Sequence, residues 1–145
     1  MRRHRSLSPR ATAELGRRCA SVLQPGAVLG LIGELGTGKT QFVGGLCAGL
    51  GVLVPVTSPT FTLINEYPAP FGAVIHVDLY RITALREIAD LGLDEYVSDH
   101  TICLIEWAEK LENHLPPGTK LLRFFHGRTE GERVVEFPDG LTLDS

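Results

Sequence analysis

Gly33-Glu34-Leu35-Gly36-Thr37-Gly38-Lys39-Thr40 carries the spacing Gly-x-x-x-x-Gly-Lys-Ser/Thr, and every fixed position in that pattern has a task on a phosphate. Glycines permit positive φ and bring backbone N–H groups close to phosphate oxygens. A helix opening near Gly38 aims its free N–H groups and the positive end of its dipole at the same anion. Lys39 adds a mobile positive charge for the β- and γ-phosphates. The Thr40 hydroxyl suits Mg²⁺, which takes oxygen ligands in a strict octahedron. The surroundings agree with this reading. The apolar run from Ala27 to Ile32 precedes the segment, and Phe42, Leu46 and Leu50 then fall on one helical face, with Gly51 as the stop. Residues 33 to 41, with Gln41 at the end, therefore read as a cradle for ATP or ADP with Mg²⁺.

Such a cradle needs an acidic side chain at the end of a neighbouring strand, to hold the metal or its waters. Two segments have that form. Val74-Ile75-His76-Val77-Asp78 ends in Asp78, and Ile102-Cys103-Leu104-Ile105-Glu106 ends in Glu106. Ligands of open α/β sheets lie outside the carboxyl ends of the strands, where both carboxylates would project. The residues alone leave open which one coordinates metal and which positions water. Thr60, after Pro59 in a loop, is a candidate switch residue for the γ-phosphate or Mg²⁺, with an ordinary turn hydroxyl as the alternative. Arg81, three residues past Asp78, is placed either to neutralise phosphate charge or in a surface ion pair. His76 is read as packing inside or beside the sheet. Trp107, next to Glu106, is read as lying near the nucleotide or in the core.

The elements that must position these groups follow from periodicity. Ser8-Pro9 reads as an N-cap with proline at the first helical position, and Leu15, Cys19, Val22 and Leu23 share one helical face. Strands are expected over Ala27 to Ile32, Phe61 to Tyr67, Ala73 to Val77 and Thr101 to Ile105, helices over Ala84 to Leu91 and Ala108 to His114. A terminal hairpin is expected from Lys120 to His126 and Arg133 to Phe137. Apolar strands interleaved with helices imply an α/β, three-layer, P-loop NTPase-like fold. Its sheet is expected to be mixed but mainly parallel. At 145 residues one domain is expected, with residues 1 to 7 as a flexible basic arm.

Composition narrows the class further. A net charge of −3 gives no sign of a nucleic-acid groove. Cys19, Cys47 and Cys103 are too far apart for a Cys-x-x-Cys site and suit buried thiols in a reducing compartment. There is no apolar run long enough for a bilayer, and no h-region follows the N-terminal arginines, so a cytoplasmic protein is expected.

Taken together, four blocks resemble the bacterial TsaE family, also called YjeE, nearly end to end from Ser8 to about Phe137. They are Gly33 to Thr40, Ser58-Pro59-Thr60-Phe61-Thr62, His76-Val77-Asp78-Leu79-Tyr80-Arg81 and Ile105-Glu106-Trp107. Gln41 stands where a second Thr is common in that family, and Ala108 where a Pro is common. The resemblance implies slow ATP hydrolysis and action with the TsaD and TsaB proteins. Those proteins place a threonylcarbamoyl group on N6 of adenosine 37 in tRNA, and the family's role looks like resetting that complex between turnovers. It also implies that Glu106 is the Walker B-like metal carboxylate, Asp78 the second acid and Thr60 the switch-like residue. Two other readings compete. A small-molecule or nucleoside kinase would want an arginine-rich lid, whereas Arg81, Arg86, Arg123, Arg128 and Arg133 are scattered. A non-catalytic module gated by nucleotide would need the cradle alone.

Overall fold

Ser8 and Pro9 open the first helix as their chemistry dictates. Ser8 is extended at φ −157°, its hydroxyl oxygen accepts from the Ala11 N–H, and Pro9 sits where no donor is required. The computed structural model describes residues 2–59 and 63–143. Their helices are α1 (Pro9–Ala20), α2 (Lys39–Gly49) and α3 (Leu85–Leu91), with 3-10 helices at Leu93–Tyr96 and Ala108–His114. The strands are β1 (Arg2–Ser6), β2 (Val28–Ile32), β3 (Ile64–Ala69), β4 (Gly72–Asp78), β5 (Thr101–Glu106), β6 (Lys120–His126) and β7 (Arg133–Phe137).

Among the described residues these strands form one sheet in the order β1-β7-β6-β2-β5-β4-β3. The four inner neighbours, β6, β2, β5 and β4, run parallel. Antiparallel strands finish both sides: β3 on β4, β7 on β6 and β1 on β7. The sheet is thus mixed around a parallel core, as the sequence implied.

Both faces of the inner strands are covered, which is why they read as continuous apolar runs. On one face Leu29, Leu31, Leu104 and Phe124 pack with Leu15 of α1 and Phe42 and Leu46 of α2. On the other, Val28, Ile75 and Ile105 pack with Ile88 of α3 and Leu111 of the second 3-10 helix. The pairing of α1 with α2 is backbone against backbone: a Cβ added to Gly45 would lie 1.8 Å from the Ala13 carbonyl oxygen. No helix among the described residues is long and apolar enough to cross a membrane.

Three local expectations change. Residues 2 to 6 are not a free arm but the strand β1, in register with β7 from Arg2↔Phe137 to Ser6↔Arg133. His4 turns inward onto Phe137, with ring centroids 5.1 Å apart, while Arg3 pairs with Glu136 at 3.0 Å. The strand expected from Phe61 to Tyr67 runs instead from Ile64 to Ala69 within the described residues. It includes Pro68, which an edge strand accepts because one side of its ladder is unpaired. The helix at Ala108–His114 is of the tighter 3-10 type, opened by a bond from the Lys110 N–H to the Trp107 carbonyl.

Candidate functional site

Parallel β2, β5 and β4 end side by side, and the register sets Leu31 opposite Glu106 and Glu106 opposite Asp78. Side chains alternate along a strand. Val77 and Ile105 point into the core under α3, so His76, Asp78 and Glu106 point to the α2 side. The sheet therefore gathers both strand-end acids on the face where α2 begins.

The chain leaves β2 at Ile32 and turns through residues 33–38 into α2. Gly38 is the N-cap of α2 at φ 95°, a left-handed conformation suited to glycine, and no side chain caps the helix there. Its first N–H groups therefore remain for an anion. The loop is braced twice: the Thr37 hydroxyl donates to the Glu34 carbonyl at 2.6 Å, and Arg133 Nε donates to the Gly36 carbonyl at 2.7 Å. Lys39 is the first residue of α2 and only 5% exposed. Its ammonium donates to the Gly33 carbonyl and lies 3.8 Å from the centre of the Trp107 ring. Gly38, Lys39, Thr40, Ser58, Asp78 and Glu106 all line one cavity of about 300 Å³. Leu35, Gly36 and Gln41 lie along it as well, whereas Gly33, Glu34 and Thr37 border a neighbouring cleft of about 410 Å³ that also reaches Trp107. A larger cavity of about 550 Å³ lies between α3 and the second 3-10 helix, beside Ile88, Leu93 and His114, and no candidate residue reaches it.

The charges in the cavity are partly desolvated. Burial pulls the Lys39 ammonium below its ordinary value, against the opposing pull of Glu106, Glu109 and Asp78. Burial pushes the Asp78 carboxyl up, opposed by the Tyr80 N–H that donates to Oδ1 at 2.9 Å; Glu106 pushes the same way as burial, His76 and Lys39 against it. A folded form that holds its proton to higher pH than the unfolded chain loses stability as pH rises from 3.8 through that raised value. Asp78→Asn keeps the acceptor for Tyr80 and removes this cost. Its melting temperature at neutral pH should rise above that of wild type. The gap to wild type should close as pH approaches 3.8. Calorimetry across pH checks both, and a lower melting point for Asp78→Asn at neutral pH would refute the sign.

Among the described residues no group of three His, Cys, Asp or Glu side chains could hold a metal. Thr40, Asp78 and Glu106 line the cavity with oxygens that could serve Mg²⁺, which keeps several waters and binds through one or two protein oxygens plus substrate phosphates.

Of the expected site residues, the cradle, Asp78, Glu106 and Thr40 come together. Trp107 proves to sit beneath the Lys39 ammonium, in a left-handed conformation at φ 61°. Thr60 lies outside the described residues. Arg81 is exposed. Two neighbours were not foreseen. Arg133 reaches Gly36 from 97 residues away, with no signal in its own segment. His76 does more than pack: Nε2 meets Glu106 Oε2 at 2.6 Å, with both side chains buried. Its position two residues before Asp78 on a strand was the signal, since it places both on one face.

A mixed sheet with a parallel core, whose central strand runs through a glycine cradle into a helix and whose next two strands end in acids, defines a protein of the P-loop class. The family model for "Threonylcarbamoyl adenosine biosynthesis protein TsaE" matches residues 6–135. The chain belongs to the TsaE family. It is 44% identical to the tRNA threonylcarbamoyladenosine biosynthesis protein TsaE of Bacillus subtilis over 112 residues, 77% of this chain and 70% of that protein. To the Treponema pallidum protein of the same name it is 40% identical over 114 residues, 79% and 84% of the two chains. The crystal structure of Bacillus subtilis YdiB superposes with a TM-score of 0.75 at 34% identity, covering 94% of this chain and 83% of that one.

Proposed function

We propose that this protein binds ATP with Mg²⁺ and hydrolyses it slowly to ADP and phosphate. In this reading it works in the cytoplasm with TsaD and TsaB in the N6-threonylcarbamoylation of adenosine 37 of tRNA. The observation that carries the reading is the shared cavity of Lys39, Thr40, Asp78 and Glu106 at the mouth of the cradle, in a chain of the TsaE family.

Phosphoryl transfer asks a protein mainly for positioning and for charge placed where the transition state needs it. The N–H groups at the start of α2 cradle the phosphates, and Lys39 exchanges its bond to the Gly33 carbonyl for the β- and γ-phosphate oxygens. Thr40, Glu106 and Asp78 would hold Mg²⁺ or its waters. Bound there, Mg²⁺ would neutralise charge on the β- and γ-phosphates. The acid that does not bind metal orients the attacking water, and Thr60 senses the γ-phosphate. Arg133 is committed to Gly36 and Glu132 carbonyls. An arginine supplied by a partner would complete the site, which accounts for low turnover alone.

Hydrolysis measured with and without purified TsaD and TsaB tests this. Stimulation by the partners is the expected result. Phosphate transferred to an added small acceptor would favour a kinase, and bound ATP without turnover a nucleotide-gated module. Lys39→Ala removes a charge-assisted contact worth roughly 1.5–3 kcal/mol. ATP affinity should then weaken by roughly 10–150-fold at 1.4 kcal/mol per decade. The emission of Trp107, the chain's one tryptophan, offers a titration signal in the wild type. Calorimetric titration serves for the variant, and unchanged affinity would remove Lys39 from the cradle.

A further inference from the structure

We propose that His76 is the positioning residue of Glu106, and that Tyr67 and Thr57 extend its hold to the chain beside Ser58, so that carboxylate and loop are set as one unit. The inference rests on the ATPase reading above and concerns how that site is kept in order.

The contacts form a continuous line. His76 Nε2 and Glu106 Oε2 are 2.6 Å apart, and the residues are 2% and 5% exposed. A carboxylate able to serve a cation is ionised and can only accept, so the shared hydrogen belongs to Nε2, which donates. Nδ1 is then an acceptor, and it faces the Tyr67 hydroxyl at 3.4 Å. That hydroxyl also donates to the Thr57 carbonyl at 2.8 Å and accepts from the Thr57 N–H at 3.2 Å. Its single hydrogen thus has two acceptors, one on the imidazole and one on the loop. Asn65, the register partner of His76, donates to the Thr57 carbonyl at 3.2 Å and to the Tyr67 oxygen at 3.3 Å. Thr57 precedes Ser58, and Ser58 lines the same cavity as Glu106 and Lys39.

The geometry has a mechanical meaning. A glutamate has three rotatable bonds, and an unsupported one would spread its carboxylate over several rotamers. The imidazole fixes one oxygen from behind and leaves the other outside this contact. Register sets Asp78 directly opposite Glu106 and His76 one step down the ladder, so the ring approaches Glu106 diagonally without occupying the space between the two acids. Because the ring is pinned through Tyr67 to the backbone of Thr57, movement of the loop at Ser58 is felt at Glu106.

The test uses three variants of the whole chain. His76→Leu fills the space without a donor, His76→Gln restores an N–H near the Nε2 position, and Tyr67→Phe cuts the line one step further back. Each is measured for melting temperature, ATP turnover, and ADP affinity in EDTA and in Mg²⁺. Loss of a residue that holds a metal-binding side chain typically costs roughly 10–100-fold in metal affinity or activity. His76→Leu should lose that much kcat and most of the gain in ADP affinity that Mg²⁺ brings, while ADP affinity in EDTA stays as in wild type. His76→Gln should recover most of both, and Tyr67→Phe should fall between. A merely structural histidine would instead lower the melting temperature and weaken ADP binding in EDTA and Mg²⁺ alike. That pattern, or unchanged kcat and Mg²⁺ dependence in His76→Leu, overturns the proposal. Should His76→Leu fail to fold, Tyr67→Phe decides, and full turnover in it is the overturning result. If wild-type protein neither hydrolyses ATP nor binds ADP more tightly with Mg²⁺, the ATPase reading itself falls and takes this inference with it.

Discussion

Glu106→Gln protein should hydrolyse ATP about 10²–10³-fold more slowly than wild type, the usual loss when one transition-state electrostatic group is removed, while still binding the nucleotide. The substitution is nearly isosteric. The amide oxygen can take the hydrogen that His76 now gives to Oε2, so the end of β5 and its neighbours keep their places. What disappears is a negative charge on the strand end beside Asp78. Two effects on ATP binding oppose each other: an oxygen that would serve Mg²⁺ loses its charge, and the polyanion loses a repulsive neighbour. They offset, so affinity changes by only a few-fold. Turnover is expected to have no such compensation, because a charge that acts more strongly on the transition state than on the bound substrate contributes to kcat rather than to affinity. Steady-state hydrolysis, run beside calorimetric ATP titration and with the partner proteins present, reads both quantities. Turnover equal to wild type would take Glu106 out of the chemistry and leave Asp78 as the acid to examine.

The second large effect is on stability. Gly45→Val should cost about 3 kcal/mol or more, a large share of the ~5–15 kcal/mol that holds a domain together. The Cβ would fall 1.8 Å from the Ala13 carbonyl oxygen and 2.6 Å from its carbon, and both belong to the backbone of α1. Neither can swing aside as a flexible side chain would, so α1 and α2 must part along their whole contact. The next residue back gives the contrast. A Cβ on Gly44 meets nothing within 4 Å, so Gly44→Ala should stabilise by up to ~1 kcal/mol through helix propensity. Urea titration of the pair distinguishes steric closeness from any general intolerance of α2. Equal midpoints for the two variants would show that the helices are not locked at this crossing.

Much of this site was legible because it is local. The cradle is eight consecutive residues, and the two acids end apolar runs whose lengths are typical of strands, so spacing alone pointed to them. The bounds of β6 and β7 were equally plain, because Gly127 and Gly131 interrupt two clear strand patterns. The order of the strands was not in the pattern. Whether β5 or β4 lies next to β2 decides which acid stands nearer Lys39, and only long-range pairing fixes that. β1 was hidden for a physical reason: an edge strand of Arg-Arg-His-Arg needs only His4 and Ser6 turned inward, too little for a hydrophobic period to show. Trp107 could be placed near the site but not in its left-handed turn, since a bulky residue at positive φ is imposed by its surroundings rather than preferred. The bonds of His76 and Arg133 depend on partners 30 and 97 residues away, and single-segment reading cannot reach them.

The edge pairing of β1 bears on the protein's synthesis. β1 leaves the ribosome long before its ladder partner β7, with Arg3 and Glu136 separated by 133 residues. β2, which feeds the cradle, likewise waits for β6 to cover one flank. Contacts so distant along the chain form late and slowly. A nascent chain interrupted before residue 120 would carry the full glycine motif, yet lack the strand beside it and the arginine that braces Gly36. The ability to grip a nucleotide is therefore expected to arrive abruptly, once β6 and β7 have emerged, rather than when the motif itself emerges.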